Sequence, residues 1–163
     1  MNYFVLFNLP EKFEINLKKL TRNFYKLQKQ FHPDLSMKNS KNIQTKFLNK
    51  SIYINAGYKI LKNPIQRSEH LLSINGITTL SLKYKKRYNN FLKIQFFLYE
   101  QLDKILKKKN EKKLNSLYKK INNFELDNMC KLKLYLNKKL WNIAIYTTLK
   151  LKFFENFKKK IKC

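Results

Sequence analysis

Apolar residues recur three and four positions apart through most of this chain, the spacing of one face of an α-helix. Leu17, Leu20, Phe24, Leu27 and Phe31 predict a helix over about 17–31, and Asn16 can cap it by accepting a first-turn N–H. A second rhythm, through Ile43, Phe47, Ile54, Tyr58 and Leu61, predicts a return helix ending at Leu61 or Lys62. Between them stands His32-Pro33-Asp34. Pro33 ends the first helix because it lacks an N–H and restricts the residue before it. The loop from Pro33 to about Lys41 carries Asp34, Ser36, Asn39 and Ser40, a turn-like composition. A short helix over Tyr3 to Phe7, closed before Leu9-Pro10, is expected to cover the end of this hairpin with its aromatics. Gly57, inside the return helix, weakens it by up to about 1 kcal/mol relative to alanine. Close approach of another helix and drift are both open as reasons for it. Asn63-Pro64 restarts the chain with a cap and a proline at the first helical position. The next helix, to about Ile74, offers Ile65, Leu71 and Leu72 to a core and ends near Gly76.

The second half predicts three longer helices. Tyr84, Tyr88, Phe91, Gln95, Leu98, Leu102 and Ile105 form one stripe, and the lysines 107–109 with Asn110 form a solvated turn. Leu114, Leu117, Ile121, Phe124, Leu132, Leu136 and Leu140 form a looser stripe, broken at Trp141-Asn142. Asn142 is expected to cap the last helix, whose face includes Ile143, Tyr146, Leu149, Phe153, Phe157 and Ile161. None of these helices can bury its stripe alone, and three packed antiparallel solve that problem. The expected organisation is all-α: an N-terminal domain over 1–75, a linker over 76–83 and a three-helix bundle over 84–163.

Composition narrows the function classes. With 2 glycines and 3 prolines, and no convincing strand alternation, a helical protein is strongly favoured. The 13 phenylalanines and 10 tyrosines can build a core without metals or disulfides. Cys130 is expected in the core and Cys163 as an incidental thiol; two isolated cysteines make neither a stapled fold nor a metal site. No segment has the apolar length to span a bilayer, and the opening residues lack the marks of a secretory signal, so the cytoplasm is the expected location. The net charge of +26 invites polyanions, yet 33 lysines stand against 3 arginines. Arginine reads bases and phosphates by paired hydrogen bonds, and it is nearly missing. The excess of lysine, with 20 asparagines and 14 isoleucines, reads as compositional bias. No specific nucleic-acid or membrane partner is expected, and no cofactor or metal.

His32 and Asp34 could suggest acid–base chemistry, but no nucleophile, glycine-rich cradle or metal cluster is near in sequence, and an enzyme is not expected. His70 is expected at the surface or half-buried. Arg22, Lys26 and Lys29 share the polar side of the helix before the turn. A basic helix, an HPD turn and a return helix resemble the J-domain of Hsp40-type co-chaperones, which stimulate the ATPase of Hsp70. That resemblance implies that His32, Pro33, Asp34, Arg22, Lys26 and Lys29 dock on an Hsp70.

The likeness extends further. Asn2-Tyr3-Phe4, Leu6 to Pro10, Leu27 to Asp34, Ile54 to Leu61, Pro64 to Leu72 and Gly76 are similar to the iron–sulfur co-chaperone family HscB, called Jac1 in mitochondria. The resemblance covers essentially the whole chain, and the missing zinc-binding cysteine pair agrees with the bacterial form. It implies an L-shaped monomer, a specialised HscA-like Hsp70 as partner, and an IscU-like scaffold protein as cargo. Leu92 and Phe96 lie four apart on a face of their helix distinct from its core stripe, with Tyr99 close by. Carrying the family's scaffold-binding positions over adds Glu100 and Phe153, with Lys93 and Phe97 beside them. The chain departs from the family at Lys93, Phe97 and Leu35. Two other readings compete: a general J-protein for unfolded clients, and a lysine-rich helical protein binding nucleic acid.

Overall fold

The structure, a computed structural model, describes residues 2–36 and 40–162. Asn39 and Cys163, invoked above, lie outside them. Seven helices follow in order: α1 (Tyr3–Leu6), α2 (Leu17–Phe31), α3 (Lys41–Lys62), α4 (Pro64–Ile74), α5 (Leu82–Lys107), α6 (Glu111–Asn137) and α7 (Trp141–Lys162). A 3-10 turn, Pro33–Ser36, sits between α2 and α3. The chain divides into two compact units, Met1–Asn75 and Gly76–Cys163.

In the first unit the capping asparagines set the helix starts. Asn2 Oδ1 accepts from Phe4 N–H at 3.0 Å, Asn16 Oδ1 from Lys19 N–H at 2.9 Å, and Asn63 Oδ1 from Ile65 N–H at 2.8 Å. The core gathers Phe4, Phe7, Leu20, Ile54, Leu61, Ile65 and Leu72, all buried. Two stripe positions are not part of it: Leu17 and Ile43 are exposed. Each lies at an end of the α2–α3 hairpin, where no facing helix covers the first turn. The hairpin is also tied by polar groups. Gln28 Nε2 donates to Asn55 Oδ1 at 3.0 Å, and Phe24 stacks on Tyr58 with ring centroids 4.1 Å apart.

Gly57 is explained by close approach. A Cβ there would sit 2.5 Å from Tyr3 Cδ1 and 3.0 Å from Phe7 Cε2, so α1 packs on bare backbone. His70 is half-buried behind the same helix. Its Nε2 accepts the Tyr3 N–H at 3.1 Å, and its ring packs against Tyr3 and Phe4. Burial lowers its pKa, with Glu11 pulling the other way, so the neutral acceptor form is the one favoured. Arg67 is buried too. Its guanidinium donates to the Leu61 carbonyl at 2.7 Å, satisfying one of the unpaired carbonyls at the end of α3, and lies over the Phe13 ring.

In the second unit α5, α6 and α7 share a core of Phe91, Leu102, Ile121, Phe153, Phe154, Phe157 and Ile161. α5 starts at Leu82, so only residues 75–81 separate it from the end of α4 at Ile74. α7 starts at Trp141, because the Leu140 carbonyl already accepts the Ala144 N–H at 3.0 Å. Asn142 therefore lies inside the helix and does not cap it. Phe124 and Leu140, assigned to the α6 stripe, are exposed, while the α7 face widens to include Ala144, Leu151 and Phe154. Cys130 is exposed, not in the core. Its neighbours one turn away, Leu126 and Leu134, are exposed as well, so this side of α6 faces solvent.

Candidate functional site

The turn after α2 is held by its own backbone. The His32 carbonyl accepts the Leu35 N–H at 3.0 Å, which closes the 3-10 turn that Pro33 begins. The side chains of His32 and Asp34 remain 53% and 64% exposed. His32 Nδ1 lies 3.4 Å from the Asp34 amide and 3.3 Å from Asp34 Oδ2. As a bare nitrogen it can accept the amide proton; protonated, it can donate to the carboxylate. Either way the imidazole and the acid are held together facing water. Neither is buried among the groups a catalyst would need.

The α2 helix places Arg22, Lys26 and Lys29 on its exposed side, and all three are exposed. Tyr25, 61% exposed, stands on the same side. Leu17, Lys18, Thr21, Arg22 and Tyr25 line an open depression of about 460 Å3. Tyr25 and Leu17 were missed as surface residues: Leu17 fits the buried stripe, whereas an aromatic next to Lys26 on the polar side was a legible signal. Leu35, following the HPD tripeptide, is 59% exposed and adds an apolar point to the turn.

The second candidate surface is on α5. Phe96 and Phe97 are 71% and 56% exposed, Lys93 and Glu100 are exposed, and Leu92 is half-buried. Two adjacent phenylalanines turned to solvent are an exposed apolar feature of the kind that interaction surfaces use. Phe153 is different. It is 9% exposed and belongs to the core, edge-on to Phe91 at 5.5 Å and to Tyr99 at 5.9 Å. The assignment of Phe153 as a contact residue is corrected accordingly: α7 lies across α5 there, and the ring's apolar surface is used within the bundle. Its part in this patch is to brace Tyr99. Lys160, not foreseen, reaches over the Tyr99 ring at 4.6 Å and brings a cation beside that braced ring. Among the described residues no group of three or more His, Cys, Asp or Glu is placed to hold a metal ion. No described helix is long and apolar enough to cross a membrane.

With this geometry in view, the chain can be compared with known proteins. Residues 87–162 match the family model described as HSCB C-terminal oligomerisation domain. The Co-chaperone protein HscB of Buchnera aphidicola subsp. Acyrthosiphon pisum is 41% identical, over 99% of this chain and 94% of that protein. Among solved structures, the chaperone HscB from Vibrio cholerae is 31% identical with a TM-score of 0.84, over 99% of this chain and 96% of that one. Human co-chaperone HscB shares the fold at a TM-score of 0.86 and 22% identity, over 99% of this chain and 81% of that one. HscB proteins are co-chaperones and not themselves enzymes. The identity to these HscB proteins over nearly the whole chain, with the matched C-terminal unit, establishes that the chain belongs to the HscB family of co-chaperones.

Proposed function

We propose that this protein couples two partners. Its first unit stimulates the ATPase of a specialised, HscA-like Hsp70, and its second holds an IscU-like scaffold on which iron–sulfur clusters are built. The observation that carries this reading is the exposed side chains of His32 and Asp34 in the His32-Pro33-Asp34 turn, adjoining the exposed cations of α2. The turn is closed by its own hydrogen bond, so presenting it to a partner has a small ordering cost. Asp34 can accept charge-assisted hydrogen bonds from a partner arginine. Arg22, Lys26 and Lys29 meet an acidic surface and speed encounter at low salt. Stimulation follows only because the docked complex favours the hydrolysis-ready state of the Hsp70 over its resting state. Cargo held on Phe96 and Phe97 is then brought to the same Hsp70 by one chain.

The test is an ATPase assay reconstituted from this protein, its matching Hsp70 and the scaffold. Stimulation by the two together is expected to exceed the sum of each alone. Asp34→Asn, an exposed and nearly isosteric change, is expected to abolish stimulation while leaving the melting temperature and scaffold binding unchanged. Full stimulation by that variant would refute the docking role.

A further inference from the structure

The α5–α6–α7 bundle is not closed on every side. A cleft of about 260 Å3 opens between the three helices. Its floor is Phe91, Ile121 and Phe154, all buried core residues, and its lips are Ile94 and Phe124, 52% and 56% exposed. Phe96 follows Arg87 by about two and a half helical turns and so faces away from this cleft, whereas Phe97, three residues after Ile94, neighbours its lip.

Two cations border this apolar opening. Lys150 reaches in from α7, its Nζ 5.6 Å from the Phe91 ring centroid and 5.5 Å from that of Tyr146. Burial lowers its pKa, Lys131 adds to this and Asp127 opposes it, so a partly desolvated ammonium stands here. Asp127 itself is paired with Lys131 at 2.6 Å. Arg87 comes from α5, lines the same cleft, and is near enough to Tyr146 to oppose the rise that burial gives its phenol. None of the residues lining the cleft is acidic. A small apolar cleft with a few convergent polar groups is the usual form of a ligand site.

We propose that this cleft binds a small amphipathic anion of the medium-chain carboxylate class, its head group between Lys150 and Arg87 and its chain against Phe91, Ile121 and Phe154. The carboxylate supplies the acidic group that the cleft's lining lacks, and the chain covers the exposed apolar surface of Ile94 and Phe124 above that floor. The proposal uses neither Phe96 nor Phe97, and Phe96, the scaffold anchor, is on the other side of α5.

Decanoate, kept below its micelle concentration, is titrated into the isotope-labelled full chain and followed by amide NMR. Saturable shifts centred on Ile94, Phe124 and Lys150 are expected. Decanol, equal in chain length but uncharged, is expected to bind about ten-fold more weakly, as is decanoate to Lys150→Gln. Arg87→Gln, at an exposed position, gives the same test should Lys150→Gln fail to fold, and Ile94→Trp is expected to block the lip and abolish binding. Absence of saturable shifts, equal binding of decanoate and decanol, or shifts centred on Phe96 instead of the cleft would each overturn the proposal.

Discussion

Gly57 shows how one residue can set a packing distance. Helix propensity alone favours alanine there by about 1 kcal/mol, yet an added Cβ meets the Tyr3 ring at 2.5 Å. The steric term is larger, because forcing atoms into a packed contact costs about 1–3 kcal/mol. Gly57→Ala is therefore expected to lower stability in urea unfolding, and a gain in stability would mean that α1 is not seated on α3. The same weighing separates Phe153 from Phe96, two rings that sequence reasoning placed in one surface. Phe153→Ala empties part of the bundle core and is expected to cost about 3–5 kcal/mol. Phe96→Ala removes a ring that is 71% exposed; thermal stability should stay nearly unchanged while affinity for the scaffold falls at least ten-fold, as for a binding anchor. Calorimetry and a binding isotherm on the two variants check both halves, and equal losses of stability would contradict the assignment.

At the scale of the helix, the chain ends its elements without the usual glycine. α1, α5 and α6 each close through a left-handed residue, Asn8, Lys109 and Lys139, with φ of 48°, 47° and 55°. In each, the next amide reaches back five residues: Leu9 to Phe4, Asn110 to Ile105 and Leu140 to Tyr135. That is the helix-closing motif in which glycine is favoured, since a Cβ is strained in this conformation. Only Gly76, with φ of 77°, follows the common pattern. Lys139→Gly is expected to raise stability by about 0.5 kcal/mol, relief of strain outweighing the added freedom of the unfolded chain. A chemical denaturation midpoint that moves down would contradict it. The α2–α3 hairpin has its own gradient. Among the described residues of α3, none before Ser51 is buried, while Ile54, Gly57 and Leu61 are. Near the HPD turn the helices are held mainly by contacts such as Phe31 with Phe47, ring centroids 5.9 Å apart. The N-terminal half of α3, next to the HPD turn, is thus the less buried part of that helix and is expected to open first in hydrogen exchange.

For the molecule as a whole, +26 is the dominant electrostatic fact. Like charges on a folded surface repel and lower stability, and salt screens that repulsion. Raising ionic strength from low salt to about 0.5 M is expected to increase the melting temperature and, at the same time, to slow association with the Hsp70. Scaffold binding, resting on the phenylalanines of α5, should change much less. A parallel steep loss of both binding activities with salt would point instead to a general polyanion binder.

The order of α2, turn and α3, the caps at Asn16 and Asn63, and the end of α4 near Gly76 were all legible in the linear chain. Each depends on interactions within a few residues: a side-chain oxygen reaching an amide two or three positions on, a missing N–H, a free φ. The turn at His32-Pro33-Asp34 was legible for the same reason. What a helix face meets is a different matter. Leu17 and Phe153 both fit apolar stripes, yet one is exposed and the other is in the core, while Cys130 was expected inside and lies outside. Periodicity says which residues share a side of a helix, and only the neighbouring helices decide which part of that side is covered. The reason for Gly57 and the placing of Lys150 over Phe91 were likewise settled by partners distant in sequence, brought together when the helices pack.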